Sequence, residues 1–145
     1  MIRATNTTAD LSEMLETFER GMPLFGKDNQ IGVTACPSVE DPSGDAVGWI
    51  PDGVEEADYS NVTEPSWGTV FERLLRELPF AFGRTRFMRM RPKSCLSIHA
   101  DPTRQYHFGL VTNPGCYIIE VTEENGVFQP TGDFMKWTRI GLTRP

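Results

Sequence analysis

From about residue 81 onward, the chain is a series of short segments in which apolar and polar residues alternate. Alternation with a period of two places successive side chains on opposite faces of a β-strand. Eleven prolines and thirteen glycines also favour loops and short strands over a helical bundle. Asn113-Pro114-Gly115 is typical of a hairpin turn between two of these segments. The pattern predicts strands at 84–91, 94–100, 105–112 and 116–122, with a fifth near 133–140.

The first half of the chain carries the patterns of two helices. Residues 10–20 begin with an N-cap aspartate and 69–77 begin with an N-cap threonine, and each has a glutamate three positions later. A short strand is predicted at 30–36, where a proline ends it. Two helices followed by a run of strands indicate an α+β fold, with the strand half forming a small barrel or jelly roll.

Residues 37–66 have no regular pattern and contain four prolines. A loop of this length is unusual in a compact domain. It could be a lid, a flexible insertion, or a wrap held down by Trp49 and Tyr59. The sequence leaves these three alternatives open.

Bulk composition narrows the classes of protein to which the chain can belong. Its 145 residues, 39% of them hydrophobic, predict a single domain over 1–145, with helices and loop in 1–80 and a β-rich half in 81–145. A net charge of −6 argues against nucleic acid as a partner. We expect neither a secretion signal nor a membrane span. The three cysteines lie far apart and form no Cys-x-x-Cys pair, so a reducing, cytoplasmic location is expected.

One segment departs from the acidic balance, because residues 84–91 contain four arginines in eight positions. The segment could be a strand whose charges are simply solvated. It could also form a basic wall that attracts a dicarboxylate. Both interpretations remain open from the sequence.

The chain has two histidines, and both lie in one short stretch. His99 and Asp101 are two positions apart, so on a strand their side chains point to the same side and can reach one metal ion. A His-x-Asp pair with a distant histidine is the facial triad of non-haem Fe(II) oxygenases. His107 could face the same cavity if both segments line one barrel. The alternative is a surface turn that begins at Asp101, which precedes a proline.

A longer ordered string resembles the aspartyl/asparaginyl β-hydroxylase family, in particular its small forms. The string is RFMRMRPKSC at 86–95, HADPT at 99–103 and HFGLVTNPGC at 107–116, and the likeness extends over roughly 65–122. The resemblance implies a double-stranded β-helix, which is a cupin-like jelly roll. It also implies an Fe(II) enzyme that couples oxidative decarboxylation of 2-oxoglutarate to hydroxylation of a carbon centre.

The same resemblance assigns roles to individual residues. His99 would be the proximal iron ligand and Asp101 the carboxylate ligand. His107 corresponds to a histidine that helps to hold 2-oxoglutarate. The family has an arginine two positions before that histidine, where this chain has Gln105. Arg104 is the nearest arginine, and on a strand it would point to the opposite face.

The family also has a second metal histidine and a further arginine downstream, but no histidine follows His107 here. Three explanations are open: a truncated or frameshifted product, a short relative that has lost catalysis, or a site and sheet completed by a second subunit. A jelly roll that lacks its last strands exposes edges, which favours a homodimer. The functional expectations are therefore an Fe(II)- and 2-oxoglutarate-dependent hydroxylase acting on a small molecule or peptide, or a non-catalytic cupin-like module that binds a small acid or a protein.

Overall fold

A computed structural model of the chain describes residues 10–21, 29–38, 47–100, 103, 105–138 and 141–143. These residues form two α-helices and three small antiparallel sheets, which confirms the α+β class. The described strands do not close into a barrel. The chain divides into two compact units, residues 13–104 and residues 105–145 with 1–12. The single domain expected over 1–145 stays a prediction.

Helix α1, Leu11–Gly21, forms where the sequence predicts it. The Oδ1 atom of Asp10 accepts a hydrogen bond of 2.9 Å from the backbone N–H of Ser12, as an N-cap residue does. On the exposed side of the helix, Glu13 lies 2.5 Å from the guanidinium of Arg73, and this contact raises the pKa of the arginine. Both side chains are about half exposed, so the pair contributes little to stability.

Helix α2, Val70–Glu77, begins after the N-cap Thr69, whose hydroxyl accepts the backbone N–H two residues on at 3.2 Å. Glu72 does not close the expected capping box with Thr69. Its Oε2 atom instead accepts the N–H of Gly68 at 2.6 Å. This hydrogen bond, followed by one from Arg76, lowers the pKa of Glu72 from its ordinary value of 4.5. The glutamate therefore stabilises the start of the helix as an anion.

The unit of residues 13–104 contains two two-stranded sheets. Strand β1, Gln30–Gly32, pairs with β4, Arg86–Met88, and strand β2, Thr34–Ala35, pairs with β3, Asn61–Val62. The strand predicted at 30–36 thus forms as two short strands. The buried apolar side chains come from the helices, the strands and the residues beside them; they are Met14, Ile31, Val33, Ala35, Cys36, Tyr59, Val70, Phe71 and Leu75.

Phe87 of β4 joins the sheet to both helices. Its ring makes edge-to-face contacts with Phe18 of α1 at 4.9 Å and with Phe71 of α2 at 4.7 Å between centroids. Ile31 lies directly opposite Phe87 in the β1–β4 pair and is buried. Edge-to-face aromatic pairs add to the free energy gained from burial alone. This cluster is an apolar contact between both helices and the β1–β4 sheet.

The described part of the long loop, residues 47–66, packs against the same unit. Tyr59 is fully buried, and the guanidinium of Arg84 lies 5.6 Å from its ring centroid. The backbone N–H of Arg84 donates to the carbonyl of Glu56 at 2.9 Å, and its guanidinium donates to the carbonyl of Gly48. Trp49, by contrast, is 96% exposed. Of the alternatives, the described part is a wrap, and it is held by Tyr59 but not by Trp49.

The unit that begins at residue 105 contains one three-stranded antiparallel sheet in the order β5-β6-β7. Its strands are β5, Tyr117–Glu124, β6, Val127–Thr138, and β7, Gly141–Thr143. A two-residue turn, Asn125-Gly126, joins the first two strands, with φ values of 54° and 78°. Two successive positive φ values define the type I′ turn that suits the twist of a hairpin. The pairing of β5 with β6 shifts register beyond Ile119, which marks a β-bulge.

Two of the predicted strands are wrong. Residues 94–100 and 105–112 contain no strand, and every side chain from 88 to 100 is exposed. No neighbouring strand pairs with either segment in the described parts of the chain, and an unpaired strand leaves its backbone without ladder hydrogen bonds. The turn at 113–115 does form, with a 3.1 Å bond from the N–H of Cys116 to the carbonyl of Asn113. It leads from an irregular segment into β5 and does not close a hairpin.

The other predicted strands are present with different bounds. The strand expected at 84–91 is limited to the three residues of β4, and the one expected at 116–122 is β5. The strand expected near 133–140 begins earlier, at Val127, because the Asn125-Gly126 turn reverses the chain there. Among the residues whose placement is described, no helix is long and apolar enough to cross a membrane.

Candidate metal site

His99 lies in the irregular, exposed segment that follows β4. A turn at Pro92-Lys93 opens this segment, with the N–H of Ser94 donating to the carbonyl of Arg91 at 3.2 Å. The Nδ1 atom of His99 lies 2.6 Å from the backbone carbonyl oxygen of Ser97. A carbonyl oxygen can only accept a hydrogen bond, so Nδ1 carries the proton. In the neutral imidazole the lone pair then resides on Nε2.

With this hydrogen bond, His99 has one of the two tautomers in which a neutral histidine can bind a metal. Histidines that bind metals commonly donate their second ring N–H to a carboxylate or backbone carbonyl, which fixes the ring and raises the basicity of the ligating nitrogen. Here the carbonyl of Ser97 provides that second contact, and Nε2 is the nitrogen suited to bind a metal. The sequence pattern predicts a role for His99 but not for Ser97, because a backbone acceptor leaves no signal in side-chain identity.

The strand expected to carry His99 does not form, so strand geometry does not set the direction of its side chain. A strand over 94–100 would place Cys95, Ser97 and His99 on one face and Leu96 and Ile98 on the other. Instead Leu96 and Ile98 are 55% and 57% exposed, and the polar residues are exposed as well. The alternation in this segment therefore does not separate an inner face from an outer face.

The remaining site residues are placed only in part. Asp101 and Arg104 lie outside the described residues. His107 is exposed and lies in an irregular segment of the unit that begins at residue 105, where a strand was expected. Because both expected strands are missing, shared strand faces no longer argue that His99 and His107 line one cavity. Within the described ranges, no three His, Cys, Asp or Glu side chains are grouped so that they could hold a metal.

The arginines of 84–91 do not act as one surface. The side chain of Arg84 is only 5% exposed and lies 3.7 Å from the carboxylate of Glu56. Arg89 donates two hydrogen bonds, of 2.8 and 3.1 Å, to the side-chain oxygen of Asn29. Arg84 is thus neither solvated nor part of a basic wall, because it holds the loop of residues 47–59 in place.

No family model matches the chain, and no curated protein is significantly similar to it. The likeness to the hydroxylase family therefore depends on the residues of the three motifs at 86–95, 99–103 and 107–116.

Proposed function

We propose that the chain belongs to the lineage of Fe(II)- and 2-oxoglutarate-dependent hydroxylases of the aspartyl/asparaginyl β-hydroxylase type. Within this proposal His99 and Asp101 are the iron ligands, and the fold is a double-stranded β-helix. The observation that supports it best is the hydrogen bond between Nδ1 of His99 and the carbonyl of Ser97, since it leaves Nε2 as the ligating nitrogen.

The chemistry of such a site follows from the types of its ligands. Neutral imidazole and carboxylate suit Fe(II), and ligation on one side leaves positions for a co-substrate and oxygen. Bound iron would supply the oxidative chemistry that couples decarboxylation of 2-oxoglutarate to hydroxylation. The residues of this chain would bind and orient: His99 and Asp101 hold the metal, and His107 with Arg104 holds the carboxylates of 2-oxoglutarate. The hydroxylated substrate would be a small molecule or a peptide.

A second candidate function is a non-catalytic cupin-like module that binds a small acid or a protein partner. It is favoured by the number of residues assigned as metal ligands, since these are two, His99 and Asp101, whereas the facial triad has three. Two protein ligands hold a metal less tightly than three and constrain its geometry less. For either function we propose a cytoplasmic location, which is supported by the wide spacing of the three cysteines in the sequence and by the lack of a Cys-x-x-Cys pair.

The metal site is tested by titrating the protein with Mn(II), which substitutes for Fe(II), and following free Mn(II) by electron paramagnetic resonance. We expect one site that is lost in His99→Ala and in Asp101→Asn. His107→Ala is the matched control, because it removes the other histidine and should leave Mn(II) binding unchanged. If the affinity of His99→Ala equals that of the natural protein, the metal site is not at His99.

Turnover separates the two candidate functions. A hydroxylase releases succinate from 2-oxoglutarate when iron and a reductant are added, and a binding module does not. Succinate release that His99→Ala abolishes would establish the enzyme. Metal binding without succinate release, together with retained affinity for 2-oxoglutarate, would establish the module.

A further inference from the structure

Part of the wrap, here called the strap, covers residues 48–59 and has its own local order. The backbone N–H of Val54 donates to the carbonyl of Pro51 at 3.1 Å. The N–H of Glu55 donates to a carboxylate oxygen of Asp58 at 2.8 Å, and the N–H of Asp58 donates back to the carbonyl of Glu55 at 3.0 Å. These bonds join residues three positions apart, so they do not depend on contacts between the strap and the rest of the chain.

Arg84 contacts the strap at three separate positions. Its guanidinium donates to the carbonyl of Gly48 and lies 3.7 Å from the carboxylate of Glu56. Its backbone N–H donates to the carbonyl of Glu56 at 2.9 Å. The guanidinium also lies 5.6 Å from the ring centroid of Tyr59. This one residue therefore reaches both ends of the strap and the turn between them.

The apolar contact beneath the strap is a small cluster. Tyr59 and Cys36 are buried against each other, and Ile50 and Val54 pack on them while remaining partly exposed. The rings around Phe87 instead join the helices to the β1–β4 sheet. Segments with few buried apolar contacts are those that open locally at the lowest free energy. The strap is therefore the part of this unit that we expect to open first.

The charged contact holds the strap without making its release costly. The side chain of Arg84 is 5% exposed and that of Glu56 is 26% exposed, so both charges have lost most of their water. When the strap opens, both groups return to water. The hydration that they regain offsets much of the attraction that is lost.

The two ends of the strap allow it to move as a unit. Gly48 has a φ of 76°, and glycine enters and leaves this region at low cost, so the backbone can change direction there. Beyond the other end, Asn61 begins β3 and pairs with Ala35 of β2. The chain from Asn61 onward is therefore held in a sheet, and the strap lies between a hinge and a fixed strand.

We propose that the strap is a latched cover, which opens as one piece while the rest of the unit of residues 13–104 stays folded. Arg84 is the latch. Opening uncovers two groups that are buried in the closed form, the thiol of Cys36 and the guanidinium of Arg84. The strap thereby controls when these groups meet solutes. It includes none of the residues proposed to bind iron or 2-oxoglutarate, so its test is independent of the proposed function.

Two neighbouring amides test the opening without any substitution. The N–H of Arg84 donates to Glu56 of the strap, whereas the N–H of Thr85 donates to the hydroxyl of the buried Thr34 at 2.7 Å. Amide hydrogen exchange followed by NMR should therefore show weaker protection for Arg84 than for Thr85. The exchange of Arg84 should also depend only weakly on urea, because opening the strap exposes little surface compared with global unfolding.

The thiol of Cys36 reports the same opening from beneath the strap. Its reaction with an aromatic disulfide reagent is followed in a variant in which Cys95→Ser and Cys116→Ser remove the other two thiols. The ratio of its rate to that of a free thiol gives the equilibrium constant for opening. We expect this constant to equal the one obtained from the amide of Arg84, because one motion exposes both groups.

Substitutions at the latch test the role of Arg84. Arg84→Met keeps an aliphatic chain and removes the guanidinium, so both opening constants should rise about tenfold or more. Arg91→Met is the matched control, because it removes an exposed arginine of the same segment and should change neither constant. Glu56→Gln removes the ion pair alone and should raise both constants by a smaller factor. This variant tests the latch even if Arg84→Met does not fold.

The proposal is wrong if the amides of Arg84 and Thr85 show the same protection and the same steep dependence on urea, since the strap then opens only with the whole unit. It is also wrong if the amide of Arg84 and the thiol of Cys36 give different opening constants, since one cover does not then lie over both. If Arg84→Met and Glu56→Gln both leave the opening constants unchanged, Arg84 is not the latch.

Discussion

The hydroxyl of Thr34 is the best single position at which to test how the unit of residues 13–104 is held together. The residue is fully buried, and its Oγ1 atom donates to the carbonyl of Gly83 at 3.0 Å and accepts the backbone N–H of Thr85 at 2.7 Å. Valine has nearly the same shape and volume as threonine but lacks the hydroxyl. Thr34→Val therefore removes both hydrogen bonds without leaving a cavity.

The magnitude follows from what each partner loses. The N–H of Thr85, in a partly buried contact, loses its acceptor, which costs about 1–3 kcal/mol. The carbonyl of Gly83 keeps a 3.1 Å bond from the hydroxyl of Thr85, so the loss there is about 1 kcal/mol or less. We expect Thr34→Val to lower the free energy of unfolding by about 2–3 kcal/mol. Thr34→Ser keeps the hydroxyl and loses one methyl group, which costs about 1 kcal/mol.

Urea unfolding followed by far-UV circular dichroism measures both variants. If only volume and apolar burial mattered, Thr34→Val would lose less stability than Thr34→Ser. The two hydrogen bonds predict the opposite order. If Thr34→Val is as stable as the natural protein, or more stable than Thr34→Ser, the hydroxyl of Thr34 does not stabilise the contact with residues 83–85.

Three further changes test other parts of the fold. Gly83→Ala would bring a Cβ into collision with the carbonyl oxygen of Glu56, so urea unfolding should show a loss of about 2 kcal/mol. Gly126→Ala places a side chain at a φ of 78°, which should lower the stability of the β5–β6 hairpin by about 1–2 kcal/mol. The loss should appear as faster amide hydrogen exchange across the hairpin, which the control Asn125→Gly should not accelerate. Glu72→Gln should be less stable than the natural protein at neutral pH, and the difference should shrink in acid.

The sign of the pH effect follows from the lowered pKa of Glu72. The folded state binds the proton less readily than the unfolded state, so the stabilisation is complete above the ordinary pKa of 4.5. It is lost as the pH falls through the lowered pKa of the folded state. If the stability difference between Glu72→Gln and the natural protein were constant from neutral pH to acid, the charge of Glu72 would not contribute to stability.

For Gly83, an alanine variant of unchanged stability would contradict the close contact between Gly83 and the loop.

Local signals predicted the two helices well. Asp10 and Thr69 are N-cap residues, and both helices begin directly after them. Both segments also have partners nearby, since Phe18 and Phe71 contact the same ring. A cap residue determines where a helix starts, and burial of one face supplies most of the stability that lets the helix form. Where both were present, the prediction was confirmed within a residue or two.

The strands of the second half were harder to predict, because a strand depends on a partner that may be far along the chain. Residues 94–100 and 105–112 alternate as strands do, but no described strand lies beside them. The Asn125-Gly126 hairpin was missed although Asn-Gly is the strongest short-range signal for such a turn. Nothing in the sequence marked the burial of Arg84 either, because its neighbours Glu56 and Tyr59 are about 25 positions away and in a segment without pattern.

The hydrogen bonds between Thr34 and Thr85 join positions 51 residues apart, and this separation affects how the chain is made. At a synthesis rate of about 5–20 residues per second, β1 waits about 3–10 s before β4 leaves the ribosome. During this interval the apolar side chains of Ile31 and Val33 have no sheet partner to cover them. The β5–β6 hairpin closes over two residues and needs no such delay, since hairpins form in about 1–10 μs. Nascent chains stalled before residue 86 should accordingly be the species that chaperones bind.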